Sequence, residues 1–184
     1  LAISHGMSPS AVVRNISNLS SVRGRLDLIA QNPSGAHIFV DYAHTPDALA
    51  AALKSIRPSL KGRLIVLFGC GGDRDKEKRP QMGKIAADLA DISIITDDNP
   101  RFETPETIRK EILESCPNGI EIGDREKAIS TALLDLKDND VLLIAGKGHE
   151  EGQSIEGKII PFNDEQMVHH VLAKNSQALR GSEK

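Results

Sequence analysis

The stretch "RLIVLFGCGGDRDKEKRPQMGKIAADLADISIIT", residues 63–96, decides the fold. It opens on an apolar run, crosses a glycine-rich charged loop, continues at helical period from Pro80, and closes on a second short apolar run. Two runs of Val, Ile and Leu bracketing a helix are the pattern of parallel strands joined by a crossover. Both runs, 63–69 and 91–96, are apolar at consecutive positions, as strands covered on both faces should be.

Outward from this unit the alternation continues. Further strands are predicted over 36–42 ("AHIFVDY"), 119–123 ("GIEIG") and 140–146 ("DVLLIAG"), and "SVRGRLDLI" starts another at residue 21. Helix starts are legible between them. Thr45 is placed to cap a helix with Pro46 first, Thr104 and Pro105 repeat the device, and Asp124 opens "DREKAISTALLDL". A hairpin turning at Glu156-Gly157 precedes a last helix, "DEQMVHHVLAK". The predicted fold is α/β and Rossmann-like: a mostly parallel sheet with helices on both faces, plus a C-terminal hairpin and helix. Residues 1–20 read differently, with "SPSAVVRNISNLS" (8–20) as one short amphipathic helix capped by Ser8 with Pro9 first. A domain boundary is therefore expected near Ser20 or Ser21, with 21–184 as the main domain.

Composition narrows the function. The chain has 184 residues, room for one full domain and a short piece of another. A formal net charge of -3 argues against a polyanion-binding surface, and 3% aromatics with no Trp leaves no platform for stacking bases, so nucleic acid is not an expected partner. Cys70 and Cys116 are too far apart for a redox or zinc pattern, which suits a reducing, cytoplasmic setting. No apolar run has the length of a membrane span, so no membrane association is expected. The chain starts at Leu rather than Met, and a fragment is expected.

In open parallel sheets ligands bind at the carboxyl ends of the strands. Of the loops that follow the strands over 36–42, 63–69, 91–96, 119–123 and 140–146, four are dense in charge: "DYAHTPD", "GCGGDRDKEKR", "DDNPR" and "GKGHE". Gly69, Gly71 and Gly72 would let backbone amides approach an anion, with Arg74, Lys76, Lys78 and Arg79 nearby. The same segment reads equally as a glycine turn with a solvated charge run, and it is neither a Walker A nor a GxGxxG motif. Asp41 and His44 sit at a strand end, where a histidine commonly just hydrogen-bonds the start of a helix. Lys147, His149 and Glu150 lie between glycines, in a close approach to a ligand or in a flexible turn. The remaining histidines, His5, His37, His169 and His170, read as structural; the last two are adjacent on a helix and diverge. In "DDNPR", Arg101 can hold a carboxylate by two charge-assisted bonds, Asn99 can add a neutral one, and Pro100 fixes φ between them. With Arg74 one strand end away and Glu150 two, the pocket offers two cations and an anion, which suits a zwitterionic amino-acid head group. HExxH, GxSxG and Cys/His sets are absent, so no catalytic residue and no metal ligand is assigned.

Taken together, Gly24-Arg25, "VDYAHTPDAL", "FGCGGDRDKEKRPQMG", "DDNPR" and "AGKGHE", in this order and spacing, closely resemble the C-terminal domain of the Mur ligases, from about Val22 onward. The "DNPR" form resembles members that add meso-diaminopimelate rather than L-lysine. The resemblance implies ATP-dependent amide formation in peptidoglycan precursor synthesis: ATP phosphorylates the terminal carboxylate of UDP-MurNAc-L-Ala-D-Glu, and the incoming amine displaces phosphate from the acyl phosphate. It implies Arg74, Asp98, Asn99, Pro100, Arg101, Gly146 and Glu150 on the amino acid, and Arg25, Asp41 and His44 on the nucleotide. It further implies ATP as cosubstrate, Mg²⁺ with its ligands in a central domain of which residues 1–20 are the tail, and a cytoplasmic monomer. The chain alone is then expected to be inactive. Departures from the family pattern are Arg23 in place of a proline, Asp27 where Glu is common, and the "GHEEGQ" continuation. A lysine-adding ligase and a stand-alone amino-acid or nucleotide sensor are the alternative readings.

Overall fold

The computed structural model describes residues 3–16 and 22–181. Its main sheet has six strands: β1 (Asp27–Gln31), β2 (His37–Asp41), β3 (Leu64–Phe68), β4 (Ile92–Ile95), β5 (Ile120–Glu121) and β6 (Val141–Ala145). The spatial order is β1-β2-β6-β3-β4-β5. All neighbours pair in parallel except β1 with β2, which are antiparallel. Strands β7 (Gly152–Ile155) and β8 (Lys158–Pro161) form a separate hairpin. The helices are α1 (Pro9–Ile16), α2 (Pro46–Ile56), α3 (Lys78–Leu89), α4 (Pro105–Leu113), α5 (Arg125–Asp135) and α6 (Asp164–Gly181).

The apolar runs at consecutive positions become strands buried on both faces. Leu64, Val66, Phe68, Val141, Leu143 and Ala145 pack on one side against α2, α3 and α4. Ile65, Leu67, Leu142 and Ile144 pack on the other against α5 and α6. Period-2 alternation thus divides β3 and β6 between two cores, and the sheet is sandwiched as expected.

Local signals hold where the side chain does what the motif requires. Thr45 Oγ1 accepts from Ala48 N at 3.3 Å and Asp124 Oδ1 from Lys127 N at 3.1 Å. Ser8 Oγ likewise accepts from Ala11 N. Glu156 and Gly157 turn the hairpin with φ of 48° and 75°, the doubly left-handed geometry of a tight two-residue loop.

Four expectations need correction. Thr104 makes no side-chain cap, since its turn is exposed and solvent can serve the amides that Pro105 has already oriented. Helix α3 begins at Lys78 rather than Pro80, because a proline in the first turn removes no helical hydrogen bond. The first strand begins at Asp27 rather than residue 21: Gly24 and Leu26 have φ of 71° and 44°, which no strand accommodates. The 119–123 strand shrinks to Ile120–Glu121, an exposed two-residue edge of the kind that leaves little to pair with another chain. The boundary at Ser20 or Ser21 lies outside the described residues.

Candidate functional site

At the carboxyl ends of β2, β3, β4 and β6 the loops enclose a cavity of about 400 Å³. Of the residues singled out in the sequence, His44, Arg74, Asp98, Asn99, Arg101, Gly146 and Glu150 line it. Tyr42, Thr45, Gly71, Asp75 and Lys78 complete the wall. Pro100, Arg25 and Asp41 are not among its lining residues. A second, mostly apolar cleft of about 480 Å³ lies toward the opposite ends of β2 and β6, lined by residues such as Leu28, Phe39, Leu60 and Val141, and carries none of this chemistry.

The cationic side of the site depends on two loops clamped together. Gly72 N donates to Asn99 O at 2.9 Å, and Arg101 Nη1 donates to Gly72 O at 2.7 Å. Phe102 N donates to Asp73 Oδ2 at 3.1 Å, and Asp73 N to Glu103 Oε1 at 2.6 Å. This approach is so close that a Cβ on Gly72 would sit 2.0 Å from the Pro100 carbonyl oxygen. Beneath it Arg79, fully buried, holds Glu103, Glu111 and the Gly71 carbonyl. Hydrogen bonds from the Arg79 guanidinium pull the Glu103 carboxyl down to about 2. Arg101 itself sits at φ 54°, held by Arg101 N to Ser154 O at 2.9 Å and Glu156 N to Arg101 O at 2.7 Å, so the β7–β8 hairpin zips onto it. Its Nε and Nη2, the edge suited to a carboxylate, have no partner among the described residues. Arg74 is exposed and donates only to its neighbour's carbonyl, Asp73 O, at 3.0 Å.

The anionic side is organised by Lys147, fully buried with its ammonium 3.3 Å from Asp98 Oδ1, 3.1 Å from Asn99 Oδ1 and 3.1 Å from Glu150 Oε2. Asn99 is committed within the protein: Oδ1 also accepts from Ser154 N, and Nδ2 donates to Glu150 Oε2 at 3.0 Å. Two carboxylates against one ammonium leave this end at net -1, whereas Arg74, Arg101 and Lys78 against Asp75 leave the other at net +2. The sequence reading placed Lys147 in the "GKGHE" loop but gave it no role at the site. A signal was present, since a lysine directly following a strand buried on both faces must find acceptors.

Toward β2 the side chains form a ring cluster. Tyr42 packs edge-on to His44 at 4.5 Å and against His149 at 5.7 Å, with the Arg25 guanidinium 5.4 Å from the Tyr42 ring centroid. His44 Nδ1 lies 2.7 Å from Tyr42 O; a carbonyl only accepts, so Nδ1 carries a proton. Both Asp41 oxygens serve the backbone, accepting from Leu26 N at 2.5 Å and Ala43 N at 2.7 Å. Asp97, unassigned in the sequence, pairs with Arg109; burial nevertheless pushes its carboxyl above the usual range. Arg125 and Asp164, both fully buried, pair under the site at 2.7 Å, and Arg125 also donates to Ala145 O. Cys70 and Cys116 are buried thiols, and burial pushes Cys70 up to about 12, so it is no nucleophile. Among the described residues no group of three or more His, Cys, Asp or Glu could hold a metal ion. Among them, too, no helix is long and apolar enough to cross a membrane.

A mostly parallel sheet sandwiched by helices, with a charged cavity at its strand ends, defines a Rossmann-like α/β domain. The sequence matches the family described as Mur ligase, glutamate ligase domain, over residues 24–148, and the chain belongs to that family. It is 52% identical over 172 residues to the UDP-N-acetylmuramoyl-L-alanyl-D-glutamate–2,6-diaminopimelate ligase of Rhizobium meliloti, covering 94% of this chain and 35% of that protein. Its similarity to the enzyme of the same name from Caulobacter vibrioides is 48% over 181 residues, covering 98% of this chain and 36% of that one. A solved structure of a ligase of this name superposes with a TM-score of 0.79 at 37% identity, covering 95% of this chain and 36% of that chain. The UDP-N-acetylmuramate-alanine ligase of Thermotoga maritima shares the fold alone, with a TM-score of 0.66 at 16% identity over 96% of this chain and 35% of that one. The chain thus spans little more than a third of the length of these relatives.

Proposed function

We propose that the chain serves as the amino-acid-binding portion of an ATP-dependent, ADP-forming ligase that adds meso-diaminopimelate to UDP-MurNAc-L-Ala-D-Glu. The observation that carries this reading is the polarised cavity, with Arg74 and Arg101 at one side and Glu150 with Asp98 at the other. A ligand end bearing both a carboxylate and an ammonium matches it. The distal carboxylate of diaminopimelate goes to the arginines and its distal ammonium to Glu150 and the Gly146 carbonyl. L-Lysine has no distal carboxylate and would leave the guanidinium of Arg101 unanswered. The names and identities of the relatives support the same substrate.

On this reading the residues bind and orient, while phosphoryl transfer takes place elsewhere in the ligase. Asn99 lines the wall, Pro100 joins it to Arg101 from behind, and holding the amino acid by its distal end leaves its other amine to attack the acyl phosphate. Arg25, Tyr42 and His44 face the nucleotide, with Asp41 fixing the turn that carries them. The 184-residue chain alone is inactive, and the ligase works as a cytoplasmic monomer.

Titration calorimetry of the chain with meso-diaminopimelate and with L-lysine tests the assignment. Two charge-assisted bonds at roughly 1.5–3 kcal/mol each should give Arg101→Ala at least a hundredfold weaker diaminopimelate binding, with lysine little changed. Retention of full selectivity by Arg101→Ala would sink the reading.

A further inference from the structure

Lys147 contributes nothing to the cavity wall, yet every acceptor of its ammonium does. Asp98, Asn99 and Glu150 come from two different strand ends, and the three N–H donors of one ammonium meet one oxygen on each. A lysine is strongly hydrated and costly to bury, so a fully enclosed one persists only with such complete pairing. We propose that Lys147 is a positioning residue for amino-acid selection: it orients the Asn99 amide and the Glu150 carboxylate and sets the acidic end of the cavity to the charge of one ammonium. The inference rests on the reading of Glu150 as the receiver of the distal ammonium, and deepens it.

Asn99 Oδ1 accepts from both Lys147 Nζ and Ser154 N, so its NH₂ group must face Glu150. Glu150 Oε2 is then taken by Lys147 and Asn99 together, which leaves Oε1 as the oxygen for a ligand. Without the lysine, Asp98 and Glu150 would face each other with net -2, the Asn99 amide would be free to turn over, and Glu150 would swing without a fixed oxygen. A ligand lacking the distal ammonium should lose this distinction and bind either form alike.

The test compares meso-diaminopimelate with 2-aminopimelate, which lacks the distal amine, on the 184-residue chain by calorimetry. The unsubstituted chain should prefer diaminopimelate by about tenfold or more, and Lys147→Met and Lys147→Gln should bring that ratio to within about twofold, with the double variant Lys147→Met/Glu150→Gln no worse than Glu150→Gln alone. Thermal melts of each variant establish folding. A second measurement needs no substitution: the Lys147 ammonium resonance, followed by nitrogen-edited NMR, should move on adding diaminopimelate and stay still on adding 2-aminopimelate. No discrimination by the unsubstituted chain overturns the reading of Glu150 itself. Discrimination that survives in a folded Lys147 variant, or an ammonium signal indifferent to both ligands, overturns the role of Lys147 and leaves that of Glu150 standing.

Discussion

Glu103 makes hydrogen bonds with Arg79, Lys76 and the Asp73 amide, and none with a ligand in the proposed reading, yet it ties the loop after β3 to the loop after β4 that carries Arg101. Its carboxyl is held at about 2, chiefly by the Arg79 guanidinium, against an ordinary 4.5. A carboxylate whose folded value is depressed adds stability that is complete above the unfolded value and is lost as pH falls through the folded one. Glu103→Gln should therefore destabilise most above about pH 5, and the gap from the unsubstituted chain should close between pH 4.5 and about 2. Urea unfolding at a series of pH values measures this. A pH-independent gap would mean that Glu103 acts through shape alone. Asp97 runs the other way, because burial outweighs the pull of Arg109 and raises its value.

Among the elements, the loops after β3 and β4 behave as one unit. The glycine at position 72 is required by the approach of the Pro100 carbonyl rather than by anion binding. A methyl group there cannot be accommodated without separating the loops, which would move the guanidinium of Arg101 off its Gly72 anchor. Gly72→Ala is expected to weaken diaminopimelate binding by about tenfold or more and to leave helix content unchanged, as read by calorimetry and circular dichroism. A variant that binds normally would show that the clamp does not position the cavity. Here the glycine pattern "GCGG" was legible as a close backbone approach, but its partner was not: the sequence suggests a ligand, and the structure supplies another loop.

For the whole molecule, one sheet carries two separate cores, so the faces should respond independently to damage. Ile108 on α4 belongs to one core and Ile129 on α5 to the other, and both are buried. Ile108→Val and Ile129→Val should each cost roughly 0.5–1.5 kcal/mol, and the double variant should match their sum to within about 0.5 kcal/mol. Chemical denaturation measures all three. A large deviation would mean that the sheet transmits strain between its faces.

The sequence by itself determined the sandwiched parallel sheet, the caps at Thr45 and Asp124, the hairpin turn at Glu156-Gly157, and the four strand ends that converge on one cavity. Each of these rests on local conformation or on a periodicity in burial, which short windows of sequence carry. Only the tertiary structure decided which charges pair with each other and which line the cavity. Lys147 with Asp98, Arg79 with Glu103, Arg109 with Asp97 and Arg125 with Asp164 are brought together by the order β1-β2-β6-β3-β4-β5. The same order draws both oxygens of Asp41 into holding backbone, while leaving an edge of Arg101 to the cavity. The physical reason is range: an ion pair forms between side chains adjacent in space, and adjacency across a sheet is set by strand order, which no local pattern records.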